Sequence, residues 1–363
     1  MVVGKNLYDA NQQLLLRQGV LIQRTYIKRI LDLGYQGMYI DDEISKDIEI
    51  KDVISDELRL KAVKAVEDLF IHTNVSDTLN LAQQKNVAKK IDGVKLLVKD
   101  IVEDILSNQD TMVNLVDLKI YDDYTFFHSV NVAVLTLLIG TRVNFNKDEL
   151  TELGLAAILH DIGKMFIDLA ILNKNGKLDD LEFNKMKRHS EFGYDFLKET
   201  YEIPIRTYIG ILQHHEKFDG TGYPLGRKGE EINIFSRIIS VADVYDALTS
   251  TRPYRKALLP SEAMEYIMGA GGTQFDYRVT RIFAQKVAPY PIGSYVKLSN
   301  GFSGIVVENY PDSCMRPKIR CILDANNRLM MPRVVDLTFD RYARNVTIID
   351  VLRDLPISKM TVE

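Results

Sequence analysis

Histidine placement constrains this chain more than any other feature. Five of its six histidines fall within residues 121–256, as His128, His160, His189, His214 and His215. Asp161 follows His160 directly, and Asp243 closes the series. Each adjoins an apolar stripe at helical spacing. His128 opens a run through Asn131, Val132, Leu135, Leu138 and Ile139. His160 and Asp161 end one that holds Leu153, Ala156 and Ala157, with Gly163 stopping the helix. His189 leads into Phe192, Gly193, Phe196 and Leu197. Ile209, Ile211 and Leu212 lead to His214 and His215, and Ile238, Ile239, Val241 and Ala242 lead to Asp243. The series therefore lies on the inward side, or at the inner ends, of helices. Metal sites in helical bundles are built this way.

A lone histidine on an apolar helix face is ordinarily a satisfied core residue. Five of them, with two aspartates, would be costly to bury without a partner. A metal ion removes that cost. Imidazole mixed with carboxylate, and no thiolate, suits Fe or Mn. The expected ligands are His128, His160, Asp161, His189, His214, His215 and Asp243. His72 stands outside the series and reads as an ordinary helix residue.

Around these residues the motifs resemble a known family. His160-Asp161, within Ile158-Leu159-His160-Asp161-Ile162-Gly163-Lys164, is similar to the HD signature of metal-dependent phosphohydrolases. His214-His215-Glu216, followed by Asp219-Gly220-Thr221-Gly222-Tyr223-Pro224, resembles the signature of the HD-GYP subfamily. Val241-Ala242-Asp243-Val244-Tyr245-Asp246-Ala247-Leu248, then Arg252-Pro253-Tyr254-Arg255, resembles its closing motif. The likeness spans about 121–289, and the ordered set is far more specific than an HD pair alone. It implies an all-helical catalytic domain and cyclic di-GMP as substrate, opened to linear pGpG and onward to GMP. Some members of the family hold a third metal through a glutamate four residues before the first histidine. Tyr124 stands there, and Asp122 and Asp123 are at the wrong helical spacing. The expectation is therefore two transition-metal ions.

The ligands then divide around Asp161, whose two oxygens can bridge. One ion would take His128, His160, Asp161 and Asp243, and the other Asp161, His189, His214 and His215. Two ions about 3.5–4 Å apart lower the pKa of a shared water, and the hydroxide attacks phosphorus in line. Asp161 and Lys164 are the expected catalytic residues. Lys164 can neutralise a phosphate oxygen, and Arg252 and Arg255 can hold phosphate bidentately. Lys256 is a further helper. Gly222 and Pro224 shape a loop where backbone approaches closely, and Tyr223 stacks on guanine or lines the pocket. Glu216 orients a neighbour rather than binding metal. Two other readings stay open: a cyclic dinucleotide receptor with little turnover, and a phosphodiesterase for a different cyclic dinucleotide.

The flanks read differently. Residues 1–50 form a small α/β module, with a turn at Gln18-Gly19, a short helix around Tyr26, Ile27 and Ile30, and a strand at Met38-Tyr39-Ile40. Residues 51–120 are a helical connecting region. Its stripes, Leu58 to Phe70 and Val94 to Ile105, can pair with a second copy as a homodimer or pack within the chain. The catalytic domain takes 121–290. Asn146 with Glu149, and Asp179 with Glu182, have the spacing of capping boxes. Alternation from Ser294 to Leu298, Gly304 to Val307, Ile319 to Leu323 and Leu329 to Met331, then Val346 to Ile349, predicts a small barrel-like β module over 291–363. The fold class is thus mainly α with two small flanking modules. A net charge of −4 does not suggest a nucleic-acid polymer as partner. Two cysteines, Cys314 and Cys321, are too few for a disulfide framework and suit a cytoplasmic protein. The longest apolar run, 132–140, is too short to span a bilayer, and the N-terminus lacks a signal peptide's apolar core.

Overall fold

The computed structural model describes residues 1–8, 13–32, 38–45, 47–48, 52–71, 81–108, 112–113, 124–174, 176–250 and 256–352. These form two compact units. The first draws on 1–52, 111–122 and 284–363, and the second on 53–110 and 123–283.

The first unit opens with β1 (Val2–Val3), β2 (Leu7–Tyr8), β3 (Leu14–Leu16), α1 (Arg24–Asp32) and β4 (Ile40–Asp41). β1 pairs with β4, and β2 with β3, both antiparallel. Leu7 and Ile30 form the small core here, with Leu15, Leu16, Tyr26 and Met38 packed against them.

The second unit is helical. It runs through α2 (Asp56–Ile71), α3 (Leu81–Ser107), α4 (Tyr124–Arg142), α5 (Lys147–Ile158), α6 (Leu169–Leu172), α7 (Asp180–Lys187), α8 (His189–Thr200), α9 (Ile205–Leu212), α10 (Ile234–Thr249), α11 (Pro260–Gly269) and α12 (Tyr277–Lys286). α4 is its axis. Every residue from 127 to 140 is buried, as a helix apolar on all sides must be. α5 and α10 pack on α4, α2 packs on α3 and α4, and α3 packs on α5. The stripes of α2 and α3 are thereby buried within the chain itself. Both expected capping boxes are present, at Asn146 with Glu149 and Asp179 with Glu182. Each such cap contributes about 1 kcal/mol.

The first unit closes with β5 (Tyr295–Leu298), β6 (Ser303–Glu308), β7 (Lys318–Leu323), β8 (Leu329–Asp336) and β9 (Ile348–Leu352). They form one antiparallel sheet in the order β8-β7-β6-β5-β9. The five expected strands are there, but the barrel-like closure is not: among the described residues β8 and β9 are edge strands that do not pair with each other. Pro332 gives one reason. It has no N–H to offer a further strand, and it sits where the register of β8 against β7 shifts, between Cys321 and Leu323. Val296, Leu298, Val306, Ile319 and Cys321 form the main core of the sheet. A second cluster, Ile305, Ile322 and Leu323, is covered by Ile44 and Ile48. Beside it the Arg320 guanidinium donates to both oxygens of Asp47, at 2.7 and 2.6 Å, and to the Ile44 carbonyl at 2.7 Å. The two ends of the chain thus share one core. No described helix is long and apolar enough to cross a membrane.

Candidate metal centre

Five segments of the helical unit deliver the histidine and aspartate side chains. His128 lies in the second turn of α4. α5 ends at Ile158, so His160 and Asp161 stand in the turn just beyond it, ahead of a 3-10 turn at Ile162–Phe166. The helix is thus shorter than the sequence suggests, which frees the Asp161 side chain from helical register. His189 is the first residue of α8, and His214 and His215 lie just past the end of α9. Asp243 sits within α10.

These side chains converge on Asp161. Its Oδ2 lies 3.3 Å from His160 Nε2 and 3.8 Å from His128 Nε2, and its Oδ1 lies 3.4 Å from His189 Nε2. Asp243 Oδ1 is 3.2 Å from His128 Nε2, and its Oδ2 is 4.0 Å from His215 Nδ1. Three ligand groups have atoms within 4.8 Å of one another: His189, His214 and His215; His128, His160 and Asp243; and His160, Asp161 and His214. All seven residues expected from the sequence are brought together.

The tautomers fit a cation. His160, His189 and His214 each point Nδ1 at a backbone carbonyl three residues back, at 2.7, 2.7 and 2.6 Å. A carbonyl only accepts, so Nδ1 carries the proton and Nε2 presents a lone pair. His160 Nε2 is buried without a hydrogen-bond partner. His189 Nε2 and His214 Nε2 face each other at 3.2 Å, two lone pairs that repel unless a cation lies between or beside them. These imidazoles and carboxylates therefore suit borderline transition metals.

Charge and burial agree. For His214, burial and then the neighbouring histidines hold the pKa well below its usual value. Burial and then His189 take His215 down to about 3, and burial also lowers His189. Burial opposes ionisation of Asp161, yet the Lys164 ammonium beside it holds its carboxyl well below the usual range. Asp243 is likewise depressed, against its burial, by its hydrogen bond to His128. His128 differs. Burial lowers it, but hydrogen bonds to Asp243 and Asp246 outweigh burial and leave it at about 9.

The expected substrate contacts divide into placed and unplaced. Lys164 Nζ is 2.5 Å from Asp161 Oδ2, at the carboxylate rather than out in solvent. The Tyr223 ring lies over His215, centroids 4.8 Å apart and planes at 32°. Gly222 permits this loop, since a Cβ there would stand 2.2 Å from the Lys217 nitrogen. A cis peptide bond joins Tyr223 to Pro224. Glu216 accepts the N–H groups of Leu225 and Arg227, at 2.7 and 3.1 Å, and so holds the loop. Lys256 is exposed. Arg252 and Arg255 lie outside the described residues, as do His72, Asp122, Asp123 and the side chain of Tyr124.

Two contributors were not singled out by sequence. Asp246 accepts His128 Nδ1 at 2.7 Å, the carboxylate–histidine arrangement that orients metal ligands. Asn131 Nδ2 donates to Asp246 at 3.2 Å. The available signal was spacing: Asp246 is three residues beyond Asp243, and Asn131 three beyond His128, so each shares a helix face with a ligand.

A family model described as the HD domain matches residues 100–279. The chain is 38% identical over 242 residues to a cyclic di-GMP phosphodiesterase of Pseudomonas aeruginosa, covering 66% of this chain and 58% of that protein. It is 32% identical over 263 residues to a cyclic di-GMP phosphodiesterase of Thermotoga maritima, covering 71% of this chain and 67% of that one. It is 42% identical over 151 residues to 3'3'-cGAMP-specific phosphodiesterase 3 of Vibrio cholerae, covering 41% of this chain and 32% of that protein. The chain thus spans less than two thirds of the Pseudomonas and Vibrio relatives.

Proposed function

The chain belongs to the HD domain family, in its HD-GYP branch, and on that premise we propose that it is a metal-dependent phosphodiesterase for cyclic di-GMP, yielding linear pGpG and then GMP. The observation that carries this reading is the division of Asp161: one carboxylate oxygen faces His128 and His160, the other faces His189. His128, His160, Asp161 and Asp243 would hold one ion, and Asp161, His189, His214 and His215 would hold the second. Two ions there, Fe or Mn, would supply an activated water for attack on phosphorus and offset the phosphate's charge. Tyr124 in place of a glutamate argues against a third.

The chain's own residues do the rest. Lys164, beside the Asp161 carboxylate, would meet a nonbridging phosphate oxygen. Arg252 and Arg255 hold phosphate, and Lys256, next in sequence, adds a further positive charge. Gly222 and Pro224 shape the loop that carries Tyr223, and Tyr223 over His215 forms an aromatic wall on which a base can stack.

A second substrate, 3'3'-cGAMP, is favoured by the identity with the Vibrio relative named for it. A receptor with little turnover is disfavoured because every expected ligand is present. One experiment separates these readings. Protein purified without oxygen is analysed for metals, and turnover of cyclic di-GMP and 3'3'-cGAMP is followed on the same sample. Two transition-metal ions per chain, with pGpG produced, is the expected result. Metal without turnover of either dinucleotide would favour the receptor, and no metal at all would overturn the proposal.

A further inference from the structure

A buried polar chain runs from α2 to the first histidine of the centre. Arg59, 5% exposed, donates from a terminal guanidinium nitrogen to Asn131 Oδ1 at 3.2 Å. Asn131 Nδ2 donates to Asp246 Oδ1 at 3.2 Å, and Asp246 Oδ2 accepts His128 Nδ1 at 2.7 Å. Asp246 is fully buried, and His128 and Asn131 nearly so.

The order of charges along this chain is fixed. The Arg59 guanidinium is a cation placed where Leu58, Leu60, Ala62 and Val63 are also buried. A buried charge needs an opposite charge and satisfied hydrogen bonds. Its described partner is a neutral amide, which passes the polarity on. The amide oxygen faces the cation and the amide nitrogen faces the Asp246 carboxylate. A flipped Asn131 would set donor against donor and acceptor against acceptor. Arg59 thereby fixes the orientation of Asn131, Asn131 fixes the Asp246 carboxylate, and Asp246 fixes the ring angle and tautomer of His128.

We infer that Arg59 is a positioning residue for the ion held on the His128 side of the centre. It lies on α2, ahead of the HD segment, so the helical region before that segment contributes to metal binding. The inference rests on the metal-centre reading above. It assigns Arg59 to one ion and not the other, because His189, His214 and His215 take their orientation from other contacts: backbone carbonyls for His189 and His214, and the Tyr223 ring for His215.

The test is a calorimetric Mn(II) titration of the full chain after chelator stripping. Wild-type protein should show two sites. Arg59→Met should weaken one of them about tenfold, at the lower end of the range for groups that orient ligands, and leave the other unchanged. Arg59→Lys keeps the charge and loses the donor fork, so it should weaken the same site by less. This milder variant decides the matter if Arg59→Met does not fold. Lys61→Met, on the exposed face of α2, should leave both sites unaltered. In an Asp246→Asn background Arg59→Met should cost little more, since the path is already broken. The inference is overturned if folded Arg59 variants bind both ions as wild type does, if both sites weaken equally, or if the Arg59 and Asp246 penalties add in full. Wild-type protein that takes up no Mn(II) overturns the metal-centre reading, and the relay with it.

Discussion

Gly163 lies against the backbone of His189. A Cβ on Gly163 would stand 1.8 Å from the His189 carbonyl oxygen and 2.5 Å from the Gly193 nitrogen. Both are backbone atoms, so no rotamer change relieves the clash. This crossing is what lets Asp161, two residues earlier, come within 3.4 Å of His189 Nε2.

Gly163→Ala should therefore part the 3-10 turn from α8. Overpacking of this kind costs about 1–3 kcal/mol or more. Metal content should fall, first at the His189 side. Gly193→Ala should be milder, since its nearest neighbour would be 3.2 Å away. Elemental analysis and melting temperature on both variants check this, and wild-type metal content in Gly163→Ala would refute it.

Asp161→Ala should abolish both ions and turnover together, because one carboxylate serves both groups. Asp243→Ala should remove the His128-side ion and spare the other. His72→Ala, outside the series, should do neither. Metal stoichiometry separates the three variants, and equal loss in Asp161→Ala and His72→Ala would discard the ligand assignment.

The pKa shifts set a pH optimum for stability of the ion-free protein. His128 is raised to about 9 in the fold, so its contribution is fully present below the unfolded value of about 6.5 and is lost as pH rises through 9. His214 and His215 are lowered, so their contribution is present above about 6.5 and is lost as pH falls below it. Chelator-stripped protein should therefore melt highest near pH 6.5. His128 would have to give up a ring proton to hold an ion, so saturating Mn(II) should flatten the alkaline limb. A melting temperature still rising at pH 9 without metal would contradict the assignment.

Much of the centre was legible because ligands leave a local trace: a polar residue at the end of an apolar helical stripe. The capping boxes at Asn146 and Asp179 were legible for the same reason, since both partners lie within one turn. What sequence did not reveal depends on distant pairing. Arg59 in Leu58-Arg59-Leu60 looks like any solvated helix residue until α4 brings Asn131 to it. Asp47 and Arg320 carry no mutual signal, so the two end modules looked separate. Alternation predicts strands but not closure, so the open sheet, with Pro332 on its edge strand, has no equivalent trace in the sequence.

Glu216 offers the sharpest separation of loop from metal. It follows His215 directly and is 3% exposed, so a ligand role is the obvious rival. Its oxygens instead accept the N–H groups of Leu225 and Arg227, which pins the loop that carries Tyr223. Glu216→Gln keeps one accepting oxygen and turns an amide N–H₂ toward the other donor. A buried donor left unpaired costs about 1–3 kcal/mol. That cost should appear as a loosened loop: KM for cyclic di-GMP should rise about tenfold, the equivalent of about 1.4 kcal/mol, with kcat nearly unchanged. Metal content should stay at the wild-type level, because no ligand atom has been removed. If Glu216 were a ligand, the variant would lose metal and kcat together while KM stayed put. Steady-state kinetics and elemental analysis on one preparation distinguish the two outcomes.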